Sequence, residues 1–115
     1  DIGKVYMLKK DYTNAVAELK KAAEKSSSRG PGIQANVYTW LGRAFAAAED
    51  HKQAAATYSE ALAITTEFPS TYYWLGVSLQ AMGENAGAKD AFGRYLNLEP
   101  TGNYSVDAKT RADGL

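Results

Sequence analysis

The apolar positions of this chain recur at a fixed distance. Tyr38, Trp40, Leu41, Gly42 and Phe45 are matched at one constant offset by Tyr72, Trp74, Leu75, Gly76 and Leu79, and Ala54 and Tyr58 are matched at the same offset by Ala88 and Phe92. An incomplete copy lies upstream in Ile2, Gly3, Tyr6, Ala15 and Leu19. The step from its glycine to its alanine, Gly3 to Ala15, equals the steps from Gly42 to Ala54 and from Gly76 to Ala88. Repetition on this scale marks stacked supersecondary units, none of which buries its apolar face alone. The pattern predicts three antiparallel helix pairs, at about 2–9 and 12–27, 33–48 and 51–65, and 69–82 and 85–97. Gly83 reads as a helix stop. Asp1-Ile2-Gly3 falls inside the first of these helices, so the sequence reads as an excerpt of a longer protein.

These residues resemble the tetratricopeptide repeat, a family with a period of about 34 residues and the marker order aromatic, Leu-Gly, aromatic, Ala, aromatic, Pro. Counted from Ala35 and again from Pro69, position 4 is Tyr38 and Tyr72, positions 7 and 8 are Leu41-Gly42 and Leu75-Gly76, and position 11 is Phe45 and Leu79. Position 20 is Ala54 and Ala88, position 24 is Tyr58 and Phe92, position 27 is Ala61 and Tyr95, and position 32 is Thr66 and Pro100. The resemblance implies an all-α fold: a right-handed α-α superhelix of three antiparallel hairpins, the first incomplete, with a short C-terminal capping helix. It implies a single array over residues 1–115, with units at about 1–31, 35–68 and 69–102 and the cap at about 103–112. Gly at position 8 and Ala at position 20 are expected to let paired helices approach closely, with the aromatics at 4, 11 and 24 filling the space between hairpins.

Departures from the pattern carry information. Position 15, usually Gly, is Lys10 in the first unit and Glu49 in the second, so those turns are expected to differ. Tyr95 replaces a small residue, so the segment after it must stand off or be shaped to the ring. Gly87 and Gly93 weaken the last repeat helix, each interior glycine costing about 1 kcal/mol relative to Ala. The first two units stand five positions further apart than the period, as Ile2 and Leu41 show, and the surplus falls in Ser26-Ser27-Ser28-Arg29-Gly30-Pro31-Gly32. That stretch is either a simple insertion or a ligand-contacting loop. Beyond Pro100, Tyr104 and Ala108 are four apart and share one helix face, suited to covering the last hairpin.

Charge and composition narrow the chemistry. The 13 basic and 13 acidic residues balance, although residues 1–31 hold seven Lys/Arg against four Asp/Glu and residues 32–100 hold four against seven. These read as solvated helix faces, with no drive toward nucleic acid. No apolar run approaches the roughly 18 residues of a membrane span, so no membrane insertion is expected. There is no cysteine and a single histidine, His51, so no metal site and no cofactor are expected. No phosphate-binding glycine motif occurs. The chain is therefore read as no enzyme.

The leading reading is a non-catalytic scaffold that binds a peptide or partner protein in its concave groove. The alternative is a non-catalytic orienting or oligomerisation module of a larger enzyme or secretion machine, and weak self-association through the truncated first hairpin is a further expectation. By resemblance, the first helix of each hairpin lines the groove. The candidate partner-binding residues are Met7, Leu8, Asn36, Trp40, Arg43, Tyr73, Trp74, Val77 and Gln80, with Thr39, Ala46, Ala47, Ser70 and Ala81 beside them. Trp40 and Trp74 occupy position 6 one period apart and form either a ladder that a partner side chain straddles or a purely structural pair. Relatives that resemble chaperone cofactors grip a C-terminal carboxylate with Lys, Asn and Arg. The places that can be read hold Lys4 where Asn is needed, then Trp40, Ser70 and Trp74, so that clamp is not expected here.

Overall fold

The computed structural model describes residues 12–26, 28–65 and 68–115. They form six helices: α1 (Tyr12–Ser26), α2 (Pro31–Ala47), α3 (His51–Ile64), α4 (Ser70–Ala81), α5 (Asn85–Leu98) and α6 (Ser105–Asp113). No strand occurs among the described residues. Each helix packs on the next in the chain, and α2 also touches α4, so the hairpins α2–α3 and α4–α5 stand side by side with their first helices adjacent. The expected helix at 2–9, with Met7 and Leu8 on it, lies outside the described residues.

The marker residues owe their identity to one contact made in each hairpin. A Cβ placed on Gly42 would lie 2.5 Å from the Tyr58 ring, and one on Gly76 would lie 2.6 Å from the Phe92 ring. Glycine is therefore required on the first helix so that an aromatic ring of the second can lie against its backbone. The rings at position 24 sit across their own hairpin, whereas the expectation had placed them between hairpins. Tyr58 and Phe92 are fully buried, as are the position-20 alanines Ala54 and Ala88. Phe45 follows the original expectation and joins the cluster of Ala15, Leu19 and Ala23 on α1.

The seam between α2 and α4 contains a buried polar pair. The Thr39 hydroxyl donates to the Ala35 carbonyl at 3.0 Å and lies 2.9 Å from the Thr71 hydroxyl. With its one proton committed, Thr39 accepts from Thr71. Thr39 thus faces the seam, not the open face expected of it.

The turns are more alike than their sequences. Gly83 has φ +78° and Glu49, one period earlier, has φ 66°. The same bonds close both turns: Glu49 N–H to Ala46 O and Asp50 N–H to Phe45 O, then Gly83 N–H to Gln80 O and Glu84 N–H to Leu79 O. The hairpin geometry thus holds Glu49 in the left-handed region despite its side chain, against the expectation of a different turn. Asp50 caps the following helix by accepting from Gln53 N–H at 3.3 Å. Upstream, Pro31 and Gly32 belong to α2, with proline in its first turn, so the inserted loop is shorter than the sequence suggested.

The C-terminal segment is shaped to Tyr95, as the sequence required. Tyr95 is 2% exposed, and its Oη accepts from Tyr104 N–H at 3.1 Å. A Cβ on Gly102 would come within 2.6 Å of that oxygen. Tyr104 stacks on Tyr73 at 4.5 Å and 10°, and Ala108 is fully buried against the last hairpin.

Two substitutions separate these effects. Gly42→Ala is expected to destabilise the fold by about 1–3 kcal/mol, since the added Cβ would overlap the buried Tyr58 ring. Glu49→Gly is expected to stabilise it by about 0.5–1 kcal/mol, by relieving a left-handed non-glycine residue. Urea unfolding monitored by far-UV circular dichroism measures both.

Candidate partner-binding face

The first helices α2 and α4 carry the residues expected to meet a partner, and their fates divide. Trp40 and Trp74 are both partly exposed. They do not form an open ladder, because the Arg43 guanidinium carbon lies over both indoles, 4.5 Å from the Trp40 ring and 4.4 Å from the Trp74 ring. A guanidinium is weakly hydrated and well suited to aromatic faces, and Arg43 lies one helical turn beyond Trp40, within reach of it. Trp74 also bridges the two apolar clusters of the array, touching Tyr73 and Tyr104 edge-on at 5.0 and 5.2 Å.

Two other candidates are taken up by the capping helix. Tyr73 is only 6% exposed; Tyr104 covers its ring and its hydroxyl donates to the Asp107 carboxylate. The Gln80 side-chain oxygen accepts from Arg111 Nη1 at 3.0 Å. Asp107 lies one full period after Tyr73, so α6 contributes side chains where a further repeat would place its own first helix. Val77 is partly exposed and Asn36 is exposed.

A cleft of about 280 Å³ opens beside the stacked arginine. Ala46, Ala47, Val77 and Trp74 form its apolar walls, with Tyr58 among them. Its polar groups are Arg43, His51 and Ser78. Within the walls, His51 Nδ1 and Ser78 Oγ are buried without a hydrogen-bond partner, a state that native proteins keep rare. Burial pushes the Tyr58 phenol well above its ordinary range, an effect the Arg43 charge partly offsets. Among the described residues no cluster of three metal-ligating side chains occurs, and no helix is long and apolar enough to cross a membrane.

The cap is fastened electrostatically. Hydrogen bonds from Tyr73 and from Arg111, whose Nε lies 2.7 Å away, hold the Asp107 carboxyl below its ordinary range. Burial, and then the bond to Asp107, push the Tyr73 phenol from 10.0 up to about 12.

A "TPR repeat" model matches residues 42–83, and two "Tetratricopeptide repeat" models match residues 70–102 and 1–24. A search of curated protein sequences finds no match. Among solved structures, the chain is similar to the Sgt2 TPR domain from Aspergillus fumigatus, with TM-score 0.83 and 21% identity over 97% of this chain and 70% of that one. It is also similar to the first TPR of Spaghetti (RPAP3) bound to the HSP90 peptide SRMEEVD, with TM-score 0.82 and 18% identity over 97% and 86%. A third similar structure is the C-terminal TPR-containing domain of a Plasmodium falciparum FK506-binding protein, with TM-score 0.76 and 17% identity over 96% and 79%.

The cap bonds give the array a defined pH window. The ionised Asp107 stabilises the fold above the carboxyl's ordinary pKa, and that gain disappears as pH falls through the lowered one. The neutral Tyr73 phenol stabilises below pH 10.0, and that gain is lost as pH rises toward about 12. Asp107→Asn is expected to cost about 1 kcal/mol or less near neutrality, because the carboxylate is solvent-screened. The difference from the wild type should shrink as pH falls through the lowered Asp107 pKa, as denaturant titrations at stepped pH would reveal.

Proposed function

We propose that this chain, which belongs to the tetratricopeptide repeat family, is a non-catalytic scaffold holding a segment of a partner protein on the face of α2 and α4. The observation that carries this reading is the group Trp40, Arg43 and Trp74. It puts two partly exposed aromatic rings around one cation on adjacent first helices of successive hairpins, with Arg43 and Trp74 also lining an apolar cleft. Aromatic and arginine side chains are the types that dominate binding energy at protein interfaces. A solved neighbour of the same fold holds a short peptide, which supports a peptide as the occupant.

The bound segment is not expected to be held as a chaperone tail. Lys4, Trp40, Ser70 and Trp74 stand where the carboxylate clamp needs other side chains, and recognition falls instead to the cleft beside Arg43. Gln80 and Tyr73, engaged by the cap, mark where the usable face ends.

Heptapeptides displayed on phage through their C termini, and therefore without a free α-carboxylate, provide the test. The chain is expected to enrich a related set of peptides. Trp40→Ala should weaken the best of them by more than about 1 kcal/mol while keeping a cooperative melt. Trp74 is the poorer probe, because its ring also joins the two clusters. Selection that enriches no peptide, or binding untouched by Trp40→Ala, would contradict the reading.

A further inference from the structure

We propose that the cleft beside Arg43 is a subsite for one glutamate side chain of the bound segment, its carboxylate held by the Arg43 guanidinium. This rests on the peptide-binding reading above and adds to it the chemistry of the anchor residue.

Arg43 has no acidic partner among the described residues. Its contacts are with the faces of two indoles. By contrast, Arg94 and Arg111 are each paired with an aspartate four residues away. The N–H edge of a guanidinium matches a carboxylate in a two-pronged geometry, and Arg43 has no described carboxylate on it. Two rings also fix the side chain in advance, which lowers the ordering cost of binding.

The cleft adds shape and charge complementarity. None of its lining residues is acidic, and Arg43 is its one permanently charged group. Its volume of about 280 Å³ lies just under the roughly 300–1,000 Å³ of pockets for whole small molecules, a size suited to a single side chain. Ala46, Ala47 and Val77 offer only apolar contact. The best occupant therefore has an apolar stem and an anionic tip. A glutamate side chain meets both needs, its methylenes against the alanines and valine and its carboxylate at the arginine. The unpaired Ser78 Oγ, on a residue only 1% exposed, and the unpaired His51 Nδ1 line the same space, so the chain leaves polar capacity there that it does not use itself.

The position differs from the carboxylate clamp discussed above. Arg43 is at position 9 of the second unit, outside the places examined for that clamp.

The displayed heptapeptides supply the probe. The strongest binder is synthesised with an acetylated N terminus and an amidated C terminus, and its affinity is measured with Glu and with Gln at the enriched position, against wild type and Arg43→Gln. The proposal expects one glutamate to be enriched, Glu→Gln to weaken wild-type binding about tenfold or more, and the same change to have little effect in Arg43→Gln. This cycle isolates the pair even where Arg43→Gln lowers stability. Arg43→Lys, which keeps the charge without the fork, should retain only part of the coupling. Enriched peptides without an acidic position, a Glu→Gln penalty unchanged in Arg43→Gln, or tighter binding of a peptide with a free α-carboxylate and no glutamate would overturn the subsite and leave peptide binding standing. The absence of any enriched peptide would overturn both.

Discussion

In the two fully described hairpins an aromatic ring lies directly against the backbone of the opposing helix, and only glycine leaves room for it. Tyr58 over Gly42 and Phe92 over Gly76 are the same contact displaced by one period. The contact fixes how close the paired helices come, and with it where the next hairpin sits. Helix α2 then lies beside α4, Thr39 meets Thr71 in the seam, and Trp40, Arg43 and Trp74 come within reach of one another. The turns obey the same constraint: the backbone bonds that close them hold Glu49 at a positive φ where a glycine would be at ease.

What the sequence made legible was whatever the period repeats. Helix positions from residue 12 onward, the close approaches at Gly42 and Gly76, the Gly83 stop and the covering role of Tyr104 and Ala108 all follow from residue types at fixed offsets, and the described residues have them. Features that depend on contacts outside the period were not legible. Arg43 is a single residue with no counterpart in the next unit, where Val77 stands, so nothing in the repeat signalled that it would join the two tryptophans. Tyr73 and Gln80 read as open-face residues because the pattern says nothing about Asp107 and Arg111, which reach them from the cap. A signal was present in Asp107, one period after Tyr73, and it pointed to α6 as a substitute for a further first helix.

These contacts divide the face of α2 and α4 in two. Toward the C terminus the cap fastens Tyr73 and Gln80, and closes that end with bonds sensitive to pH at both extremes. Around Trp40, Arg43 and Trp74 the chain leaves aromatic surface, a cation without a described carboxylate partner, and an apolar cleft. The cap thus covers the C-terminal end of the face and not its middle. In the proposed binding mode an arginine already placed over two rings offers a partner a directional contact at a low ordering cost.

The chain has two tryptophans, both on this face, and therefore two indole N–H signals. Titration of the isotopically labelled chain with a display-selected peptide, followed through those two signals, reads binding at this face. Both signals should shift together and saturate with the peptide's measured affinity, while backbone signals at the exposed positions of α3 and α5 stay in place. Saturable shifts confined to α3 and α5, with both indole signals unmoved, would contradict binding at this face.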